Sequence, residues 1–224
     1  MQLALVSVNV AEPRVIGTVN GEPVLSGIAK RPVVTDKVFV GRTNIAGDAQ
    51  ADLSVHGGVD KAVYAYPSSH FPWWEKEHGL SCVPATFGEN LTLEAGDEDA
   101  VAIGDRFRWG EAILEISQPR APCFKLALHT KRPDVPQLMV HSARSGWYLR
   151  VIEEGWAPLK DARLERIAQS SGPSVRETFL ALFDRKMNRS SRFRVLGNPA
   201  LAAAWRHGIA AKIDASPPDS PGEM

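Results

Sequence analysis

The sequence predicts a mainly β protein, a β-barrel followed by a small C-terminal α-helical module, and three observations carry that expectation. Short apolar runs of strand length recur through the first two-thirds of the chain, separated by turn residues. A closed or nearly closed barrel protects that many short strands from exposing their edges. After Ser170-Ser171-Gly172-Pro173 the apolar spacing turns helical, with Val175, Phe179, Leu182 and Phe183 on one face. The expected division is a barrel over 1–171, a three-helix module over 172–214 and a Pro-rich, disordered tail over 215–224.

In chain order, strands are expected at 3–10, 33–40, 62–66, 106–109, 112–117 and 147–152, with 163–169 supplying a last one. Asn20-Gly21, Gly47-Asp48 and Trp109-Gly110-Glu111 mark turns between them, and a short helix is expected over 72–78. Pro122 has the fixed φ of a first helical position, so Phe124, Leu126, Ala127 and Leu128 continue as a short helix with Cys123 in its first turn. In the tail, Ser174-x-x-Glu177 is a capping box. Asn198 as cap and Pro199 at the first position open a helix bearing Leu201, Ala204, Trp205 and Ile209. Between them 184–196 forms a third helix, against which Asn188 and Ser190-Ser191 count.

With 224 residues, 44% of them hydrophobic, the chain can bury a sizeable core. No apolar run approaches the roughly 18 residues of a membrane span, and the first residues lack the basic region of a signal peptide, so a cytoplasmic location is expected. In that reducing compartment Cys82 and Cys123 are expected as two free thiols, Cys82 structural. A net charge of +0 argues against a general nucleic-acid binder, yet 163–194 holds eight basic residues against three acidic ones, as a solvated helix face or a binding surface. The absence of Cys-x-x-Cys, of a histidine pair at metal-ligand spacing, of a P-loop and of G-x-G-x-x-G counts against structural zinc, mononucleotide and dinucleotide sites.

Gln118-Pro119-Arg120-Ala121-Pro122-Cys123-Phe124-Lys125-Leu126 places a thiol between two cations in backbone that two prolines restrict. At a helix start, with Arg120 and Lys125 near, the thiolate of Cys123 is favoured and available as nucleophile or metal ligand; the alternative is a cysteine buried as a small hydrophobe. Asp52-Leu53-Ser54-Val55-His56-Gly57-Gly58-Val59-Asp60-Lys61 lets backbone approach a ligand while His56 and Lys61 reach an anion, although a turn with solvated charges has the same pattern. Phe87-Gly88-Glu89-Asn90-Leu91 offers a carboxylate and an amide, to a ligand's NH groups or to the turn's own backbone. Arg144 and Arg150 flank an aromatic strand start and Lys30 precedes Arg31-Pro32; convergence with Arg120 makes an anion site.

These segments resemble the MOSC (molybdenum cofactor sulfurase C-terminal) domain family, in its stand-alone bacterial, YiiM-like branch that reduces N-hydroxylaminopurines. The resemblance runs through Gly27-Ile28-Ala29-Lys30-Arg31-Pro32-Val33, Asp48 with His56-Gly57-Gly58, Phe87-Gly88-Glu89-Asn90-Leu91, Gly104-Asp105, the Cys123 segment and Ser145-Gly146-Trp147, and the helical tail resembles the module that follows the domain in this branch. It implies a molybdopterin-type molybdenum cofactor with Cys123 as catalytic residue and protein ligand to the metal. Lys30, His56, Lys61, Arg120 and Arg144 are then candidates for the pterin phosphate, and Glu89 and Asn90 for the rest of the cofactor site. It further implies an N-hydroxylated small-molecule substrate reduced to an amine, and electrons from an external flavin or iron–sulfur donor protein. A homodimer is left open. The competing class is a non-catalytic carrier holding cofactor or sulfur on Cys123. The tail is expected to be a separate cationic module that docks an acidic donor and does not build the site.

Overall fold

The computed structural model describes residues 1–52 and 57–215. Twelve strands and six helices lie among them: β1 (Gln2–Val10), β2 (Arg14–Val19), β3 (Glu22–Ser26), β4 (Arg31–Pro32), β5 (Lys37–Val40), β6 (Val63–Pro67), α1 (Phe71–His78), β7 (Leu91–Leu93), β8 (Arg106–Trp109), β9 (Ala112–Pro119), α2 (Phe124–Thr130), α3 (Val135–Ser142), β10 (Trp147–Glu153), β11 (Gly155–Pro158), β12 (Arg163–Ala168), α4 (Val175–Phe183), α5 (Arg189–Leu196) and α6 (Ala203–Asp214).

The ring runs β1-β7-β6-β10-β9-β8-β12 and returns to β1 through Gln2↔Glu165, Leu3↔Leu164 and Ala4↔Arg163. Seven strands therefore close on themselves, as the sequence requires of so many short strands; β6 and β7 alone pair in parallel within the ring. Inward residues fill the interior, among them Leu91, Leu93, Phe107, Leu114, Trp147, Leu149 and Leu164. The pocket described below consequently lies outside the barrel. Between β9 and β10 the register slips: Tyr148 faces Gln118, Leu149 faces Ile116, and Ser117 is skipped. Such a bulge re-aims side chains. The Ser117 hydroxyl, released from the alternation, donates to the carbonyls of Asp60 (2.6 Å) and Tyr148 (3.1 Å).

Several element boundaries differ from the sequence reading for local reasons. The 33–40 strand starts only at Lys37, because Val33–Asp36 bends outward with Val34 almost fully exposed. The β2–β3 hairpin was not anticipated beyond its Asn20-Gly21 turn, since both strands are largely exposed and lack a clean alternation. The sequence also gave no sign of β7, β11 or α3, the first two being only three and four residues long. Cys123 is the N-cap of α2, in extended backbone, and not part of its first turn. Asn188, which counted against a helix, is the cap of α5, its carbonyl oxygen accepting from Ser191 N–H at 2.8 Å. The last helix begins at Ala203, not at Pro199, and Asn198 instead accepts from Ala200 N–H (2.8 Å) and donates to Ile103 O (3.3 Å). Residues 216–224 lie outside the described part of the chain.

The C-terminal helices share one core with the barrel. Val175, Phe179, Val195, Trp205, Ile209 and Ile213 are buried in the same cluster as Ile103, Leu114 and Ile116, and the Ser174 side chain caps α4 by accepting from Glu177 N–H at 3.0 Å. Backbone bonds stitch the junction: Ile103 N–H to Pro173 O (3.0 Å), Val175 N–H to Val101 O (3.0 Å) and Ala202 N–H to Ser117 O (3.0 Å). Arg166, Arg176, Arg192 and Arg194, four of the eight cations of 163–194, are paired within the chain. Arg166 pairs with Asp105, Arg176 with Asp99, and Arg194 with Glu177, while the buried Arg192 donates to the carbonyls of Ala181, Asp184 and Met187. Among the described residues no helix is long and apolar enough to cross a membrane.

Phe179 is fully buried between barrel and tail, with its ring 4.6 Å from Phe183 and 6.2 Å from Trp205. Phe179→Ala is expected to destabilise the chain by about 3–5 kcal/mol. Because the core is continuous, calorimetry and tryptophan fluorescence should report one shifted transition; a barrel transition left in place while the helices melt alone would contradict the shared core.

Candidate functional site

Asp48, buried behind Gly47 at the end of an Ile45–Asp48 turn, is the first fixed point of the site. Its carboxylate accepts from Ala11 N–H (2.9 Å), the Asn90 amide (3.0 Å), the Gln50 amide (3.3 Å) and the Lys30 ammonium. Four stretches of chain are thereby held around one charge. Gly27 fits against this arrangement because a Cβ there would lie 2.1 Å from the carbonyl oxygen of Ala49. Burial lowers the pKa of Lys30, and the attraction of Asp48 opposes that shift. Asn90 extends the network by accepting from Tyr64 N–H (3.0 Å) and donating to Asn9 O (3.2 Å).

The second fixed point is Arg120, just beyond β9, whose N–H donates to Gly146 O (3.3 Å). Its side chain is buried, with the guanidinium over the Tyr64 ring (5.4 Å), 3.3 Å from Met139 Sδ and hydrogen-bonded to Tyr148. None of these three neighbours is a carboxylate, although the Cys123 thiolate attracts the guanidinium. Burial raises the pKa of both phenols against the pull of Arg120, so Tyr64 and Tyr148 stay protonated and neither balances the guanidinium. The Tyr64 hydroxyl instead donates to Ser145 O at 2.8 Å.

Between these points lies a pocket whose described lining includes Lys30, Lys61, Arg120 and Lys125 together with Cys123, and no Asp or Glu. Cys123 is half-buried and its charge is felt by Lys61, Arg120 and Tyr148. Lys61 closes a short turn, Val59–Lys61, that follows Gly57 and Gly58, both at positive φ; burial lowers its pKa, with Asp60 and Cys123 opposing. Among the described residues no three His, Cys, Asp or Glu side chains gather at metal-binding distance.

The structure thus brings together Lys30, Lys61, Asn90, Arg120 and Cys123. It places Glu89 behind the pocket, where its carboxylate accepts from Ala85 N–H (2.8 Å), Phe87 N–H (3.0 Å) and the Thr92 hydroxyl (2.8 Å) and so shapes the turn that carries Asn90. Arg144 is not in the lining but stacks on Trp73 of α1, 4.2 Å from the ring centre. His56 lies outside the described residues. Sequence reasoning missed Tyr64, Tyr148 and the central role of Asp48. The tyrosines sit in strands that read as apolar, and Asp48 sat in a Gly-Asp pair that read as a turn. Cys82, as expected, is a free structural thiol; it donates to Leu80 O (3.3 Å), and burial pushes its pKa up to about 12, which suppresses thiolate chemistry.

The MOSC domain profile matches residues 52–162. The uncharacterised protein YflK of Bacillus subtilis is 37% identical over 212 residues, 94% of this chain and 95% of that one. The crystal structure of YiiM from Geobacillus stearothermophilus superposes with a TM-score of 0.78 at 33% identity, covering 94% of this chain and 99% of that one. A protein of Gibberella moniliformis named Reductase is 38% identical over 123 residues, 53% of this chain and 22% of its own length.

Burial raises the Glu89 pKa from 4.5 to about 7, while its three hydrogen bonds pull it back down. The folded state therefore binds the extra proton in that window: the stabilisation is complete below the lower value and is lost as pH rises through the upper one, an effect of about 3 kcal/mol. Glu89→Gln should remove this slope, so urea unfolding at pH 5 and pH 8 should show a stability difference that shrinks in the variant. Equal pH dependence in both proteins would place the titration elsewhere.

Proposed function

The chain belongs to the MOSC domain family, and from that premise we propose that it is a molybdenum-cofactor-binding oxidoreductase that reduces N-hydroxylated compounds, such as N-hydroxylaminopurines, to amines. One observation carries the reading: Arg120 is buried in the pocket wall with no carboxylate beside it among the described residues. A buried charge in that state needs a counter-ion from outside the chain. The phosphate of a molybdopterin-type cofactor suits it, and Lys61 and Lys125 add to the attraction on the same lining. Cys123 offers a soft thiolate for molybdenum. The fungal relative named Reductase supports redox chemistry.

When bound, the cofactor supplies two-electron reduction of an N–O bond, giving amine and water. The chain's own residues do the rest. Asp48 fixes Lys30, Asn90 and Gln50 against one another, Arg120 and Lys61 hold the anion, and neutral Tyr64 and Tyr148 form a wall that keeps water from the guanidinium. In this reading electrons come from an external flavin or iron–sulfur protein in the cytoplasm.

Two substitutions test the site. Cys123→Ser should lose molybdenum and reductase activity while keeping its circular dichroism, and Cys82→Ser should keep both; full metal content in the Cys123 variant would falsify the ligand assignment. Arg120→Met should weaken cofactor retention by about 2–5 kcal/mol. The same change removes an unpaired buried charge, so the cofactor-free protein should become more stable, by about 1–4 kcal/mol. Metal analysis after gel filtration, set beside the melting temperature of the cofactor-free protein, reads both; a destabilised variant that still retains cofactor would show Arg120 to be structural.

A further inference from the structure

A charge ladder crosses the outside of the barrel and ends beside the pocket. Arg106 Nε donates to Glu115 (2.6 Å), the other oxygen of Glu115 accepts from Arg150 Nη1 (2.9 Å), and Arg150 Nε donates to Asp60 (2.9 Å). The next residue is Lys61, which lines the pocket. Arg150 and Tyr148 occupy the same outward face of β10, two residues apart, so one strand carries both a wall of the pocket and the end of the ladder.

The turn that bears Lys61 needs such an anchor. Gly57 and Gly58 precede it at φ values of 79° and 83°; a Cβ at Gly57 would meet the Gln50 side chain at 2.7 Å, whereas Gly58, next to the turn, has nothing within 4 Å of its missing Cβ and so gives no packing restraint. Two contacts from the barrel hold the turn: the Ser117 hydroxyl on the Asp60 carbonyl (2.6 Å) and Arg150 on the Asp60 carboxylate. The first exists because the β9 bulge frees Ser117, and the second because Glu115, itself buried, orients the guanidinium from its other side. Asp60 left loose would also be free to swing towards the ammonium beside it and compete with any incoming anion.

We propose that Arg150 is a positioning residue for the pocket: by holding Asp60 it fixes where Lys61 presents its charge to the bound phosphate. The proposal rests on the anion-site reading above. It predicts that Arg150 acts only through the Asp60-Lys61 turn, and that another cation at position 150 does most of the same work.

The full chain, free of cofactor, would be compared as the unaltered protein and as Arg150→Met, Arg150→Lys, Lys61→Met and the Arg150→Met/Lys61→Met double variant. Amide hydrogen exchange over residues 57–63 should speed at least tenfold in Arg150→Met and stay near the original rate in Arg150→Lys. Titration with inorganic pyrophosphate should weaken about tenfold in Arg150→Met and recover in Arg150→Lys, and the double variant should bind no more weakly than Lys61→Met alone. Unchanged exchange in Arg150→Met, or additive losses in the double variant, would overturn the proposal, the second because it means direct contact with the anion. If the unaltered chain fails to bind pyrophosphate while the exchange results hold, the clamp on the turn stands and the anion-site reading is what falls.

Discussion

A guanidinium buried with no carboxylate beside it among the described residues is the constraint on which this molecule turns. Arg120 sits among a thioether, the face of one neutral tyrosine and the hydroxyl of another, and within the field of Cys123. Burial works against the ionised guanidinium, and the two tyrosines and Cys123 work for it, with the balance in favour of the charge. Structural arginines elsewhere in the chain show the contrast: Arg166 and Arg176 have carboxylates, and Arg192 is surrounded by carbonyl oxygens. Under the proposed function, a bound anion would add the full negative charge that the described lining of the pocket does not supply as a carboxylate.

Barrel closure explains where that site can be. Seven strands filled by Leu, Phe and Trp leave no room inside, so chemistry has to be built on the rim and outer face. Two devices bring polar groups there. A bulge between β9 and β10 changes which residues are paired and frees the Ser117 hydroxyl to hold Asp60. Asp48 draws Ala11, Lys30, Gln50 and Asn90 onto one carboxylate, so segments distant in sequence meet with little freedom. Glu89 does the same on a smaller scale, organising the backbone that presents Asn90.

What was legible in the sequence follows from these facts. Strands with strong apolar content, such as β8, β9 and β10, appear at or within two residues of their expected ends, because their identity is fixed by burial along the strand. The β2–β3 hairpin and β11 were hidden, being exposed or stabilised by a single neighbour, so that their residues carry little periodicity. Within the site, Cys123 and Arg120 announced themselves through the two prolines around them. Arg144 carried the same chemistry in sequence and yet stacks on Trp73, since pairing partners are a property of three-dimensional placement. Tyr148 and Asp48 were invisible for the converse reason: an aromatic in a strand and an aspartate in a turn have ordinary explanations until their neighbours are known.

The same logic separates the two cationic regions of the chain. Counted along the sequence, 163–194 is the richer in positive charge and the pocket segments are unremarkable within a net charge of +0. In the fold the order reverses. The arginines of that stretch meet Asp99, Asp105, Glu177 and backbone oxygens, and the Arg176–Asp99 pair links α4 to the chain outside the tail. The pocket instead gathers Lys61, Arg120 and Lys125 on a described lining without a carboxylate, and Lys30, paired with Asp48, belongs to the framework. Charge already paired inside a protein is screened from its ligands, whereas charge held apart from its opposites by rigid backbone projects a field into the space it surrounds. Under the proposed function, recognition depends less on how many cations the chain has than on which of them the fold gathers on one described lining without a carboxylate.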